Sequence, residues 1–245
     1  MTLAVLLIAG APLVAQEREW PIHSMDRPRP PIVNPGPAGA PLPTPADAIV
    51  LFGGRDLAEW QSAEGPARWT LGDGFFEVAP RTGTLRTRRA FGDVQLHVEW
   101  AAPNPPSGAG QGRGNSGVFL MGYYEVQILD SYQNDTYADG QAASLYGQFP
   151  PLVNASRPPG EWQTYDIVFR QPRFNADGSL LRPARMTVLH NGVLVHDAVE
   201  LQGRTAHMRR AGYQAHEDRR PLELQDHGDR VRFRNIWVRE LPERP

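Results

Sequence analysis

The run Val94-Gln95-Leu96-His97-Val98-Glu99-Trp100 alternates apolar and polar residues without a break, so Val94, Leu96, Val98 and Trp100 share one face of a half-buried strand. Shorter runs of the same kind recur along the chain: Ile49 to Phe52, Phe75 to Val78, Ser116 to Met121, Tyr124 to Leu129, Thr164 to Arg170, Arg185 to His190, Val193 to Val199 and Val231 to Leu241. Asn191-Gly192 between two of them is a type I′ hairpin signal, and Asn175-Ala176-Asp177-Gly178 reads as a longer hairpin loop. No stretch carries a helical period longer than about three turns. Many antiparallel strands in a unit of this length predict an all-β, two-sheet antiparallel sandwich of jelly-roll type over residues 48–241.

Two segments precede that unit. Thr2 to Val14 is almost wholly apolar and is followed by Ala15 and then Gln16-Glu17-Arg18, the pattern of a secretory signal peptide over residues 1–15. It predicts a periplasmic or secreted protein. The run is too short for a permanent anchor, and no later stretch is a candidate span, so stable membrane insertion is not expected. Residues 16–47 carry Arg27-Pro28-Arg29-Pro30-Pro31 and then Pro35, Pro37, Pro41, Pro43 and Pro45. Proline removes backbone donors and favours extended conformations, which predicts a linker or a wrapping arm.

Composition narrows the function classes. The 24 glycines and 24 prolines in 245 residues suit a chain with many turns. A net charge of −2 provides no electrostatic case for a nucleic-acid partner. The absence of cysteine excludes disulfides, thiolate metal sites and a cysteine nucleophile.

Candidate chemistry lies in three segments. In Tyr124-Glu125-Val126-Gln127-Ile128, parity points Tyr124, Val126 and Ile128 one way and Glu125 and Gln127 the other, about 7 Å apart. A carboxylate and an amide on one sheet face suit sugar hydroxyls and acid–base work, although an ordinary solvated strand face has the same pattern. Asp130 has the opposite parity and is placed to cap the Ser131-to-Asp135 loop. In Pro159-Gly160-Glu161-Trp162-Gln163-Thr164-Tyr165, Trp162 and Tyr165 are candidates for stacking on a sugar ring, with core packing expected of one of them. In Gln225-Asp226-His227-Gly228, His227 beside Asp226 is a candidate general base, metal ligand or turn residue.

Taken together, these segments resemble the 3-keto-disaccharide hydrolase family, whose fold is a concanavalin A-like jelly roll. The resemblance runs from about Val50 to Leu241. It is carried by Leu51-Phe52-Gly53-Gly54-Arg55-Asp56-Leu57 with Trp60, Gly114-Asn115-Ser116-Gly117, Tyr124 to Ser131, and Leu145-Tyr146-Gly147. Asn154-Ala155, Pro159 to Trp162, Gln225 to Gly228 and Phe233-Arg234-Asn235-Ile236 follow in the family's order. An insert from Gly108 to Gly114 departs from the shorter turn expected there and is placed to alter the rim of a site.

The resemblance implies cleavage of glycosides oxidised at carbon 3, where the ketone acidifies the proton on carbon 2. It makes Glu125 and His227 the candidate base and acid, in either order. Asn115, Gln127 and Arg234 become candidates for binding hydroxyls or the enolate, and Tyr146, Trp162 and Asp226 candidates for lining the site. The expected partner is a small-molecule or oligosaccharide glycoside. No cofactor is required by the sequence. A divalent ion is an open alternative as electrophile, with Glu125, Asp130, Asp226 and His227 as its obvious ligands. Two other classes fit the same face: a non-catalytic carbohydrate-binding module, and an ordinary glycosidase, which needs a second carboxylate that the Glu125 strand lacks unless Asp130 or Glu161 supplies it.

Overall fold

The computed structural model describes residues 19–243; the segment read as a signal peptide lies outside them. The strands are, in chain order, β1 (Ile49–Phe52), β2 (Trp60–Ser62), β3 (Gly65–Pro66), β4 (Thr70–Leu71), β5 (Phe76–Glu77), β6 (Leu85–Phe91), β7 (Val94–Ala101), β8 (Ser116–Leu120), β9 (Tyr124–Ile128), β10 (Gln163–Arg170), β11 (Arg173–Phe174), β12 (Leu180–Arg182), β13 (Arg185–His190), β14 (Val193–Glu200), β15 (Arg220–Leu224) and β16 (Arg232–Glu240). Two large antiparallel sheets contain most of them. One has the order β14-β13-β10-β7-β16-β5-β4, with β1 also paired to β16; the other has the order β3-β2-β6-β15-β8-β9. This is the all-β sandwich the alternating runs predict. Among the described residues no helix is long and apolar enough to cross a membrane.

The period of two builds the core directly. On β10 burial alternates residue by residue, and Tyr165, Ile167 and Phe169 face inward. They pair with Val98, Leu96 and Val94 of β7, so the inner face of the larger sheet is continuous. From the smaller sheet, Tyr124, Val126 and Ile128 of β9, Val118 and Leu120 of β8 and Leu224 of β15 close the core from the other side. Full burial of each such side chain is worth about 1.5–3 kcal/mol. Tyr165 also ties the sheets together: its hydroxyl donates to the Gln127 carbonyl at 2.7 Å and accepts from the Ala143 amide at 2.8 Å. Tyr165 is therefore the aromatic of its segment that packs in the core.

The Asn191-Gly192 hairpin forms with both residues at positive φ, 54° and 79°, as a type I′ turn requires. Besides several strands of two or three residues, two longer ones are not marked by the hydrophobic pattern. β6 reads Leu-Arg-Thr-Arg-Arg-Ala-Phe and β15 reads Arg-Pro-Leu-Glu-Leu, yet they sit side by side in the smaller sheet. Only Leu85, Thr87, Phe91, Leu222 and Leu224 face inward; the opposite positions carry Arg86 and Glu223, and the register shifts between Pro221 and Glu223. Proline is tolerated at such an irregularity.

The proline-rich segment makes hydrogen bonds to the sandwich and its loops along much of its length. The Val33 amide donates to the Asn154 carbonyl at 3.0 Å, and the Asn154 amide returns a bond to the Pro31 carbonyl at 2.8 Å. Further along, Arg157 Nε donates to the Gly36 carbonyl, Asn235 Nδ2 to the Leu42 carbonyl, and Asp47 pairs with Arg239 at 2.6 Å. With few amides of its own to offer, the arm is held mainly through its carbonyls. Its earlier part lies on the loop between β9 and β10, where Arg29 pairs with Asp135 and the His23 ring stacks on Tyr137 at 4.0 Å.

Candidate active site

The outer face of the smaller sheet carries a cleft of about 270 Å³ lined by Asn115, Phe119, Glu125, Gln127, Tyr146, Thr205, Ala206, His207, Gln225 and His227. Strand parity explains its floor. β8 and β9 pair with Phe119 opposite Glu125 and Gly117 opposite Gln127, so these four positions share the face turned away from the core.

Gly117 makes room for the carboxyl. A Cβ at that position would lie 2.6 Å from Glu125 Oε1 and 2.9 Å from the Phe119 ring. The Glu125 side chain therefore folds down over the neighbouring strand and is only 5% exposed. Burial alone, with no cation to offset it, raises its pKa from the ordinary 4.5 to about 8. With its amide nitrogen turned toward this carboxyl, Gln127 donates to Glu125 Oε1 at 3.0 Å and to the Ser116 carbonyl at 2.9 Å.

The rim is assembled from loops. After β9 the chain turns back so that Leu145 bridges Val126 in antiparallel fashion, which sets Tyr146 directly across from Glu125. The Tyr146 amide donates to the Glu125 carbonyl at 3.4 Å. The Gly108-to-Gly114 insert contains a short 3-10 turn, Gly110–Gly112. It places the Gln111 carbonyl on Asn115 Nδ2 at 2.8 Å and the Gln111 side chain 3.1 Å from the Gln127 amide, and so buttresses two residues that line the cleft. The segment after β14 closes on itself through the Arg204 amide and Gly212 carbonyl, and docks on the sheet through the Thr205 amide and Tyr123 carbonyl at 2.8 Å. Thr205 Oγ1 then accepts from the Glu125 amide at 3.0 Å, and His207 reaches the cleft.

His227 stands at the mouth, exposed, on a turn built by its neighbour. Asp226 Oδ1 accepts from the Gly228 amide and Oδ2 from the Gly83 amide, both at 3.0 Å. Asp226 thus shapes the turn and does not line the cleft. Asp130 is spent in the same way: it accepts from Arg113 Nε at 2.7 Å and from the Tyr132 amide at 3.1 Å, capping the loop that follows β9. Glu125, Asp130, Asp226 and His227 therefore do not converge as the ligands of one ion. Among the described residues no group of three histidine, aspartate or glutamate side chains is placed to hold a metal.

Trp162 and Arg234 lie elsewhere, and their candidacy for this site is corrected here. Both belong to the larger sheet or its approach. The Arg234 guanidinium sits 4.2 Å over the Trp162 ring and binds Glu99 Oε2 through Nε at 2.6 Å. On β16 the position of Arg234 turns it to the outer face of that sheet, with the whole core between it and Glu125. Thr205, His207 and Gln225 also line the cleft, and sequence reasoning did not single them out. The segment carrying Thr205 and His207 has no strand period, and only its docking onto Tyr123 brings it to the cleft.

Comparison with known proteins agrees with this architecture. A candidate glycosyl hydrolase from Parabacteroides distasonis, known from its crystal structure, matches with a TM-score of 0.78 at 45% identity over 80% of this chain and 84% of its own. A second crystal structure from that organism, also a candidate glycosyl hydrolase, shares the fold with a TM-score of 0.58 at 18% identity over 80% and 94% of the two chains. A 3-keto-disaccharide hydrolase of Bacteroides thetaiotaomicron is 25% identical over 249 residues, spanning 82% of this chain and 81% of that protein. The model of the 3-keto-alpha-glucoside-1,2-lyase-like domain matches residues 47–239, and the chain belongs to that family.

Proposed function

We propose that the protein cleaves glycosides that carry a ketone at carbon 3, beginning with removal of the proton on carbon 2 by Glu125. The observation that carries this reading is the single carboxyl in the cleft. Glu125 is the only acidic residue among those lining it. A glycosidase acting through an acid and a nucleophile or base needs two. One strongly basic carboxylate is instead what abstraction of a carbon-bound proton calls for, and a pKa near 8 makes its ionised form a better base than an ordinary carboxylate.

In the proposed reaction the carboxylate takes the carbon-2 proton, and the electron pair of that C–H bond moves into an enolate whose charge rests on the carbon-3 oxygen. Collapse of the enolate breaks the bond from carbon 1 to the aglycone oxygen. That oxygen leaves with a proton donated by His227 at the mouth. Water then adds its hydroxyl to carbon 1 and a proton to carbon 2, which completes a net hydrolysis. The family to which the chain belongs, that of the 3-keto-alpha-glucoside-1,2-lyase-like domain, and the 3-keto-disaccharide hydrolase relative support this chemistry.

The test is incubation with a 3-keto glucoside beside its unoxidised parent in deuterated water. Aglycone release from the oxidised substrate alone, with deuterium at carbon 2 of the product, is the expected result. Equal release from both substrates, or release without deuterium, would overturn the proposal. A second expectation concerns Gly117→Ala. Its methyl group must displace the Glu125 carboxyl, and a shift of about 1 Å costs up to about 10²-fold in rate. Turnover should fall at least about tenfold while the far-UV circular dichroism spectrum stays that of the parent.

A further inference from the structure

The proposed reaction places negative charge on the carbon-3 oxygen, and that oxygen needs a donor. The amides of Asn115 and Gln127 are already engaged within the protein. Asn115 Nδ2 is bonded to the Gln111 carbonyl, and Gln127 is engaged by Glu125, Ser116 or Gln111 in either orientation of its amide. Tyr146 is different. Its hydroxyl lies 2.9 Å from the Tyr137 hydroxyl and 3.3 Å from His207 Nδ1. The first bond is short, and the second is long enough to be exchanged for a better acceptor at little cost.

The placement of Tyr146 follows from the backbone. Because Leu145 bridges Val126 in antiparallel register, Tyr146 stands directly opposite Glu125 with its side chain on the same face. Cross-strand neighbours of this kind have Cβ atoms about 4.5–5.5 Å apart. The carbon-2 proton and the carbon-3 oxygen sit on adjacent carbons, so the base and the donor for one substrate must be close neighbours across the sugar ring. The cross-strand pair supplies that spacing.

We propose that Tyr146 is a catalytic residue, the donor that holds the enolate oxygen while Glu125 takes the carbon-2 proton, and that Tyr137 is its positioning residue. The inference rests on the 3-keto glycoside reading. Either hydroxyl of this pair can donate; the role requires that Tyr137 donate to the Tyr146 oxygen, which leaves the Tyr146 proton for His207 in the resting site and for the substrate oxygen once it arrives. A donor that itself accepts a hydrogen bond is polarised and strengthens as charge develops opposite it. Burial holds both hydroxyls above the usual tyrosine range, so each remains a proton donor at neutral pH. The arm contributes as well: the His23 ring stacks on Tyr137 with an interplanar angle of 16°, and its amide donates to Asp139 Oδ2 at 3.1 Å.

The test uses the full-length protein with a 3-keto glucoside bearing a chromogenic aglycone, and separately with 3-keto-glucose in deuterated water. The second probe has no aglycone to lose, so exchange at carbon 2 reports enolate formation alone. Tyr146→Phe is expected to lower kcat by about 10²–10³-fold with little change in KM, the usual cost of losing one oxyanion donor. Deuterium exchange should slow by a similar factor. Tyr137→Phe keeps the Tyr146 hydroxyl and should lose roughly tenfold in kcat, again with KM preserved. If the wild-type protein leaves the 3-keto glucoside intact, the functional reading fails and this inference with it. If wild type cleaves it and Tyr146→Phe stays within about threefold in both assays, the inference alone is overturned. Should Tyr146→Phe fail to fold, Tyr137→Phe decides: unchanged kcat and exchange overturn the assignment.

Discussion

Glu125→Gln lowers turnover of a 3-keto glucoside by at least about 10²-fold, because an amide cannot accept the carbon-2 proton. The substitution conserves shape and leaves the contact with Gly117 in place, so the fold survives. The pH dependence makes the expectation sharper. In the wild-type protein the rate of carbon-2 exchange with 3-keto-glucose, a step that needs no acid at a leaving oxygen, should rise with pH and level off above about 8, as Glu125 ionises. A profile that falls through the same pH would assign Glu125 as the acid and His227 as the base. Stability moves the opposite way. The folded protein binds the Glu125 proton up to about pH 8, whereas the unfolded chain releases it near 4.5. The contribution is full below 4.5 and is lost as pH rises to about 8. Its size is on the order of a few kcal/mol. Glu125→Gln has no such slope, so urea titrations should show the variant gaining on wild type as pH increases. A variant that is inactive and also unfolded at every pH would point to a structural role for the carboxyl.

The second large effect lies on the opposite side of the molecule. Glu99 is 2% exposed and is held by Arg234 Nε at 2.6 Å, Asn235 Nδ2 at 2.8 Å and His97 Nε2 at 3.5 Å. His97 Nδ1 in turn meets Asp166 at 2.7 Å, and its ring stacks on Trp237 at 5.0 Å. Burial opposes the charge on both groups, but the hydrogen bonds win: Glu99 falls to about 2 and His97 rises to about 9. Glu99→Ala strips the partner from two cations at once. Removal of one member of a buried ion pair costs about 3–5 kcal/mol, which lowers the melting temperature by roughly 10 °C for a chain of this size. Turnover per folded molecule at low temperature should remain near wild type, since the cleft is on the other sheet. The sign with pH is definite. The Glu99 contribution is present above 4.5 and lost as pH falls through 2; the His97 contribution is present below 6.5 and lost as pH rises through 9. The loss caused by Glu99→Ala should therefore be largest between about pH 4.5 and 6.5. Unchanged melting temperature in that window would show that the network contributes nothing net.

Local pattern made much of this architecture readable. The alternation in β7 and β10 is the direct imprint of one buried and one outward face, and Asn191-Gly192 requires two positive φ values that few other residues accept. The same parity set Glu125 and Gln127 on the face opposite Val126 before any partner strand was known. β6 and β15 escaped notice because their outer positions hold Arg86, Arg88 and Glu223, and β15 contains Pro221; a charged face and a register shift remove the apolar signal on which strand reading depends.

What the sequence determined by itself is therefore the sandwich, the strand that carries Glu125 and the extended character of the arm, all consequences of residue-by-residue sterics and a period of two. Only the tertiary structure decided which distant segments share a face. Arg234 and Trp162 went to the outer side of the larger sheet because β16 and β7 pair there, while His207 came to the cleft and Tyr137 to the Tyr146 hydroxyl through loop docking, neither with a periodic signal. The basicity of Glu125 belongs to the same category: a glutamate in any sequence is an ordinary acid, and its shift to about 8 comes from the neighbouring strand, Gly117 and the enclosing loops that exclude water from around it.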